Sequence, residues 1–124
     1  MNFNQIVRYS LEYSNQSRYY HWQTESYAHH EALGEFYDCF NDNVDKMVEA
    51  MAGRTAVKIE IDQGTVELVN YNNSFEVIES LEALRSAYEE FKESITEMGY
   101  IDIEDIIDSI VHDINKLLFH MRLK

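Results

Sequence analysis

An all-α, antiparallel four-helix bundle is the fold this sequence predicts, and three observations predict it. Proline is absent and glycine occurs only four times in 124 residues, too few turn formers for a many-stranded β fold. Three stretches carry apolar residues at steps of three and four, the period of a helix with one buried face, and the N-terminal stretch adds a fourth with apolar and aromatic residues at mixed spacing. The connections between first and second, and between third and fourth, are short, whereas the middle one is long. A chain of this length fits one domain, residues 1–124, and can bury a continuous core.

The first helix is expected from about Phe3 to Trp22, ending at the break Thr24-Glu25-Ser26, where Thr24 or Ser26 can cap the next helix. The second runs to about Ala52 on the stripe Leu33, Phe36, Phe40, Val44, Met47 and Met51, with Gly53 as its stop. Across residues 54–74 the period changes: Val57, Ile59 and Ile61 alternate with Lys58 and Glu60, and Asp62-Gln63-Gly64-Thr65 reads as a turn. That segment is a long crossover loop or a small hairpin. Ser74 or Ser80 opens the third helix, with Leu81, Leu84, Tyr88, Phe91, Ile95 and Met98 as its stripe and Gly99 as its end. Asp102 can cap the fourth, with Ile101 stapled onto Ile106 and a stripe of Ile107, Ile110, Ile114, Leu117 and Met121. One long crossover between helices two and three is the ferritin-like connectivity of a four-helix bundle.

Composition narrows the function classes. No run approaches the roughly 20 apolar residues of a membrane span, and the start MNFNQIVRYSLEY lacks the basic and apolar regions of a signal peptide. The single cysteine, Cys39, excludes an intrachain disulfide framework and a multi-thiolate zinc site. It reads as a small buried apolar residue in a protein of the reducing cytoplasm. The net charge of −13 opposes direct DNA binding, and Arg122 and Lys124 are too few for a basic tail. An acidic chain does suit collecting cations.

The candidate chemistry lies on the second helix. His29 and His30 open it, and Asp45 and Glu49 follow. At about 100° per residue, His30 and Asp45 differ by a net angle of roughly 60°, and Glu49 adds roughly 40°. All three share one side, but His30 sits about four turns from the acids along the axis. One ion cannot touch both ends of one straight helix, so a shared site requires two antiparallel copies, hence a symmetric dimer with two equivalent sites. His21, beside Trp22 at the end of helix one, can approach His30 across the short break. Imidazole with carboxylate suits Fe(II), and also Mn(II) or Zn(II). Taken alone, the Asp45–Glu49 pair also reads as a solvated acidic face, and the tyrosines 19 and 20 with Trp22 as core.

Together, His21-Trp22, His30, Asp45 and Glu49 resemble the Dps family of ferritin-like proteins, with the interval His-x14-Asp-x3-Glu preserved. The segment from Asp108 to Phe119 also resembles that family's last helix. The resemblance implies a di-iron ferroxidase site at a twofold interface, with His21 and His30 from one subunit and Asp45 and Glu49 from its partner. It also implies assembly into a homo-oligomer, as far as a dodecameric shell storing ferric mineral, with oxygen or peroxide as oxidant. Three features depart from the family. The His21–His30 interval is about one turn short, so that His29 could stand in for His30. Gly34 occupies the position of a further acid, and the basic tail is missing. Residues 21–38 also resemble a group of short tailed-phage proteins.

Two alternatives stand beside this expectation. One is a phage-encoded ferritin-fold interaction protein without a functional metal site, its acidic surface engaging a partner. The other is a metal site within one subunit built from Glu104, Asp108 and His112, although the Glu-x-x-His motifs usual in such bundles are absent.

Overall fold

Four helices carry the chain in the computed structural model, which describes residues 1–123: α1 Phe3–Gln23, α2 Tyr27–Thr55, α3 Ser74–Met98 and α4 Ile101–Arg122. Lys124, counted above among the terminal basic residues, lies outside the described residues. Local chemistry explains most boundaries. Asn2 and Gln5 form a reciprocal capping box at the start of α1. Ser26 caps α2 through the amide of His29, and Asn73 caps α3 through the amide of Glu76. Gly99, at φ 73°, ends α3 in the left-handed conformation that glycine adopts without strain.

Several boundary expectations need correction. Gly53 does not stop α2, which continues to Thr55 and ends on Ala56 at φ 53°. The extra turn has its own anchors: Thr55 Oγ1 donates to the Met51 carbonyl, and Arg54 pairs with Asp102 at 2.7 Å while lying over the Tyr100 ring. Asp102 is therefore inside the first turn of α4 rather than its cap, and Ile101, 68% exposed, is no staple. The third helix opens at Ser74, the first of the two expected positions, with Asn73 as its cap. Met98, placed in the α3 stripe, is exposed at the last position of its helix, and Cys39 is exposed rather than buried.

Side-chain bonds between helices give their directions. Ser14–Asn41 and His21–His30 run α1 and α2 antiparallel; Tyr13–Ser80 and Ser10–Tyr88 do so for α1 and α3. Asn43–Asp113 and Arg54–Asp102 set α4 antiparallel to α2, and Lys92–Asp108 and Arg85–Asn115 set it antiparallel to α3. The ring order is α1, α2, α4, α3. Helices α2 and α3 thus run the same way, and residues 56–73 must return along the whole bundle. This is the single-crossover topology of ferritin-like bundles.

The crossover travels along α1 from its first turn to its last, held by α1 side chains to its backbone. Asn4 accepts from the amide of Glu60, Arg8 donates to the carbonyls of Asp62 and Thr65, and Gln16 bonds both the amide and the carbonyl of Val69. Gln23 accepts from the amide of Tyr71. Of the loop and the hairpin, the loop is what forms: no strand occurs among the described residues.

The core is built chiefly by α2, α3 and α4, with Leu33, Phe40, Leu84, Tyr88, Ile107 and Ile110 fully buried near its centre. Helix α1 adds Ile6, Tyr13 and Tyr20 but also buries Ser10 and Ser17. Ser10 bonds Tyr88, and Tyr13 bonds Ser80 at 2.8 Å. Buried hydroxyls with partners replace apolar contacts on that face, which is why its apolar spacing is irregular. Among the described residues no helix is long and apolar enough to cross a membrane.

Candidate metal centre

His21, in the last turn of α1, and His30, in the first turn of α2, face each other across the break at residues 24–26. Their rings stack with centres 3.8 Å apart and planes within 14°. Nδ1 of His21 lies 2.6 Å from the His30 carbonyl oxygen, and Nδ1 of His30 lies 2.8 Å from the His21 carbonyl oxygen. A carbonyl only accepts, so both Nδ1 atoms carry the proton and donate. In the neutral rings the lone pair is then on Nε2 in both. A single ion cannot lie in two stacked ring planes, so the two rings are not arranged to share one ion.

Gly34 is what lets His21 lie there. A Cβ at that position would stand 2.9 Å from Cε1 and 3.2 Å from Nδ1 of His21, inside normal contact distance. The missing acid at Gly34 and the imidazole seated over it are therefore one feature: the ring occupies the space a side chain would fill.

Beside the pair a shallow groove follows the outer face of α2. His21 bounds it on the α1 side and His120 on the α4 side, with Glu31, Glu35 and Asp38 between them. Glu35 pairs with Lys116 at 2.6 Å, which holds its carboxyl below the usual range. Farther along, Asp45 and Glu49 are exposed. Glu31, Asp38 and Asp45 recur every seven residues, as do Glu35, Asp42 and Glu49, so six carboxylates line one side of the helix. His30 and Asp45 are separated by a rise of roughly 22 Å. The chain therefore brings the two imidazoles together and leaves the two acids apart from them. Among the described residues no group of three or more His, Cys, Asp or Glu side chains could hold a metal.

The remaining candidates are placed as follows. His29 turns from the pair toward Tyr71, whose hydroxyl is 3.4 Å from its Nδ1, leaving the role at the pair to His30. Trp22, two-thirds exposed, packs in no core, whereas Tyr20 is buried. Asp108 is bound by Lys92 at 2.6 Å, and His112 is exposed on the same helix, so these do not converge into a site with Glu104. Cys39 lies in the α2–α4 groove, where partial desolvation of its otherwise exposed side chain and the carboxylates of Asp113 and Glu35 push its thiol up. Asp113 itself is pushed up by burial, partly offset by a hydrogen bond from Asn43. His120 is the residue the sequence reading missed. Its only signal was the antiparallel pairing of α2 with α4, which sets the last turn of α4 beside Glu35.

Neither the curated proteins nor the solved structures contain a match to this sequence. A family model does match, over residues 21–121, which reaches from His21 through the last turn of α4 and takes in both histidines and both acids. With most of its length covered, the chain belongs to the family described as a family of unknown function (DUF5856).

Proposed function

We propose that this chain binds divalent transition metal, Fe(II) foremost, at a site completed by two copies, and oxidises it there as its resemblance to the Dps family implies. The observation that carries the reading is the reciprocal lock between His21 and His30. A histidine that ligates metal commonly donates its other ring N–H to a carbonyl, which fixes tautomer and orientation. Both rings meet that condition, and their stacking suits two neighbouring ions rather than one. Asp45 and Glu49 are the oxygen donors, exposed on the same side of α2 as the groove. A second α2 running antiparallel would set the imidazoles of one copy against the acids of the other, twice by symmetry.

Imidazole and carboxylate together fit Fe(II), with Zn(II) and Mn(II) as competitors. Iron is here the substrate: Fe(II) gives one electron to dissolved oxygen or peroxide, and a hollow assembly of up to twelve copies would retain the ferric product. The chain's own part is to bind and orient the ion and to offset its charge. Two acidic stripes repel each other until cations lie between them, so metal binding and pairing along α2 are linked. Adding Fe(II) to metal-free protein should raise ferric absorbance faster than buffer does, and His30→Ala or Asp45→Ala should each remove the enhancement. A wild-type rate equal to the buffer blank overturns the reading.

A second reading, a phage-encoded interaction protein with a vestigial site, is favoured by one observation: Trp22 and Tyr27 stand 66% and 76% exposed beside the histidines. Aromatic side chains left in water mark binding surfaces. Metal analysis of protein purified without chelators separates the two, because a pure interaction module carries no stoichiometric metal.

A further inference from the structure

The crossover presents an unpaired backbone edge whose sequence is complementary to itself. From Asn4 to Gln23, α1 rises roughly 28 Å, and the crossover covers that distance between Glu60 and Tyr71. Eleven steps over that span average roughly 2.6 Å per residue, nearer extended chain than helix, and leading into it Val57, Ile59 and Ile61 alternate with Lys58 and Glu60, the period of a strand. In extended chain the backbone groups of alternate residues point to opposite sides. The amide of Glu60 and the carbonyl of Asp62 are taken by Asn4 and Arg8 of α1. The amides and carbonyls of Ile59 and Ile61 then point away from α1, and they have no hydrogen-bond partner among the described residues. Val57, Ile59 and Ile61 are 51%, 43% and 40% exposed. An apolar edge of this kind is a template for pairing with another strand.

The charge pattern says which strand. Laid antiparallel on a second copy with Ile59 opposite Ile59, residue 57 faces residue 61 and residue 58 faces residue 60. Lys58 then meets the partner's Glu60, Glu60 meets the partner's Lys58, and every apolar residue meets an apolar one. The hydrogen-bonded positions in this register are 57, 59 and 61; Ile59 and Ile61 are free, and the Val57 amide exchanges its long 3.3 Å bond to Thr55 Oγ1 for the carbonyl of residue 61 in the second copy. We propose that residues 57–61 pair with the same residues of a second copy as a two-stranded antiparallel ribbon, with a twofold axis at Ile59.

This interface is separate from the metal seam. A seam that sets His30 against Asp45 has its axis near residue 38 of α2, roughly 25 Å from the helix end that leads into the ribbon. It also needs no cation, so it is tested in chelator, where failure of the metal reading has no bearing. Sedimentation of the full chain should give a dimer. Lys58→Glu, at an exposed position, should weaken dimerisation at least about ten-fold by placing like charges opposite each other twice, with helical circular dichroism unchanged. Lys58→Glu combined with Glu60→Lys should restore it. Register is tested in a Cys39→Ser background. Ile59→Cys should cross-link to itself under mild oxidation, since directly opposite Cα atoms stand about 5.5 Å apart. Ile61→Cys should not, because its copies are roughly 14 Å apart along the ribbon. A monomeric wild type, a charge reversal without effect, a failed rescue or equal cross-linking at both positions overturns the proposal.

Discussion

At the scale of single residues, two helical glycines of α2 make opposite predictions from one principle. Glycine inside a helix costs roughly 0.5–1 kcal/mol relative to alanine. At Gly53 an added Cβ meets nothing within 4 Å, so Gly53→Ala should raise stability by about 0.5 kcal/mol in thermal or denaturant melts. At Gly34 the same methyl meets the His21 ring. Gly34→Ala should forfeit that gain, displace the imidazole, and weaken any metal binding that depends on it; the Nδ1 proton signals of His21 and His30 in NMR spectra report the displacement. Asp113 supplies a pH prediction. Burial raises its carboxyl above the ordinary aspartate value, so the folded chain holds that proton more tightly than the unfolded one. The charged form is therefore a liability that grows as pH rises through this window and is constant above it. Asp113→Asn removes the charge and keeps an acceptor for Asn43. The variant should be slightly more stable than the parent at neutral pH, and the difference should vanish below about pH 4. Paired melts at the two pH values check this; a difference that persists in acid would assign it to packing instead.

At the scale of elements, the crossover is an irregular segment whose path is written on its neighbour. Asn4, Arg8, Gln16 and Gln23 recur along one side of α1 and each engages crossover backbone. Gln16 contributes two bonds at 2.8 and 2.9 Å to Val69. At about 0.5–1.5 kcal/mol per bond, Gln16→Ala should cost about 1–3 kcal/mol and release the crossover locally. Hydrogen exchange at the Val69 amide should accelerate while the amides of α3 and α4 stay protected; uniform acceleration would contradict a local role. The same contrast explains what the sequence could disclose. The four helices, their number and their order were legible because Leu33, Phe36, Phe40 or Ile107, Ile110, Ile114 bury through helical spacing, a property of each element by itself. The path of residues 56–73 was not, because it depends on polar side chains about fifty residues away. The end of α2 was misread for a similar reason: Arg54 gains Asp102 and Tyr100 from α4, which carry the helix past Gly53. At the candidate site, the meeting of His21 and His30 followed from the short break, while the groove beside His120 and the purpose of Gly34 appear only once three helices are assembled.

At the scale of the whole molecule, the functional question is whether the imidazole end of one copy serves the acidic end of another. The charge of −13 and six carboxylates along α2 oppose that pairing in metal-free protein. Ribbon pairing at Ile59 and metal-linked pairing along α2 use different axes, so chelator should leave a dimer and metal should build a larger assembly from it. The decisive measurement mixes two inactive variants. His30→Ala keeps Asp45 and Glu49 but lacks one imidazole; Asp45→Ala keeps both imidazoles but lacks one acid. Each alone should oxidise Fe(II) no faster than buffer. Combined in equal amounts in chelator and then reloaded with metal, half the pairs along the seam should contain one of each. In such a pair one site loses both ligands, whereas the other has its imidazoles from the Asp45→Ala chain and its acids from the His30→Ala chain. About one quarter of wild-type sites, and of wild-type ferric absorbance rate, should return. A site contained within one chain cannot be restored this way, because each chain would still lack its own ligand, and a mixture as inactive as its components would rule out sharing between copies.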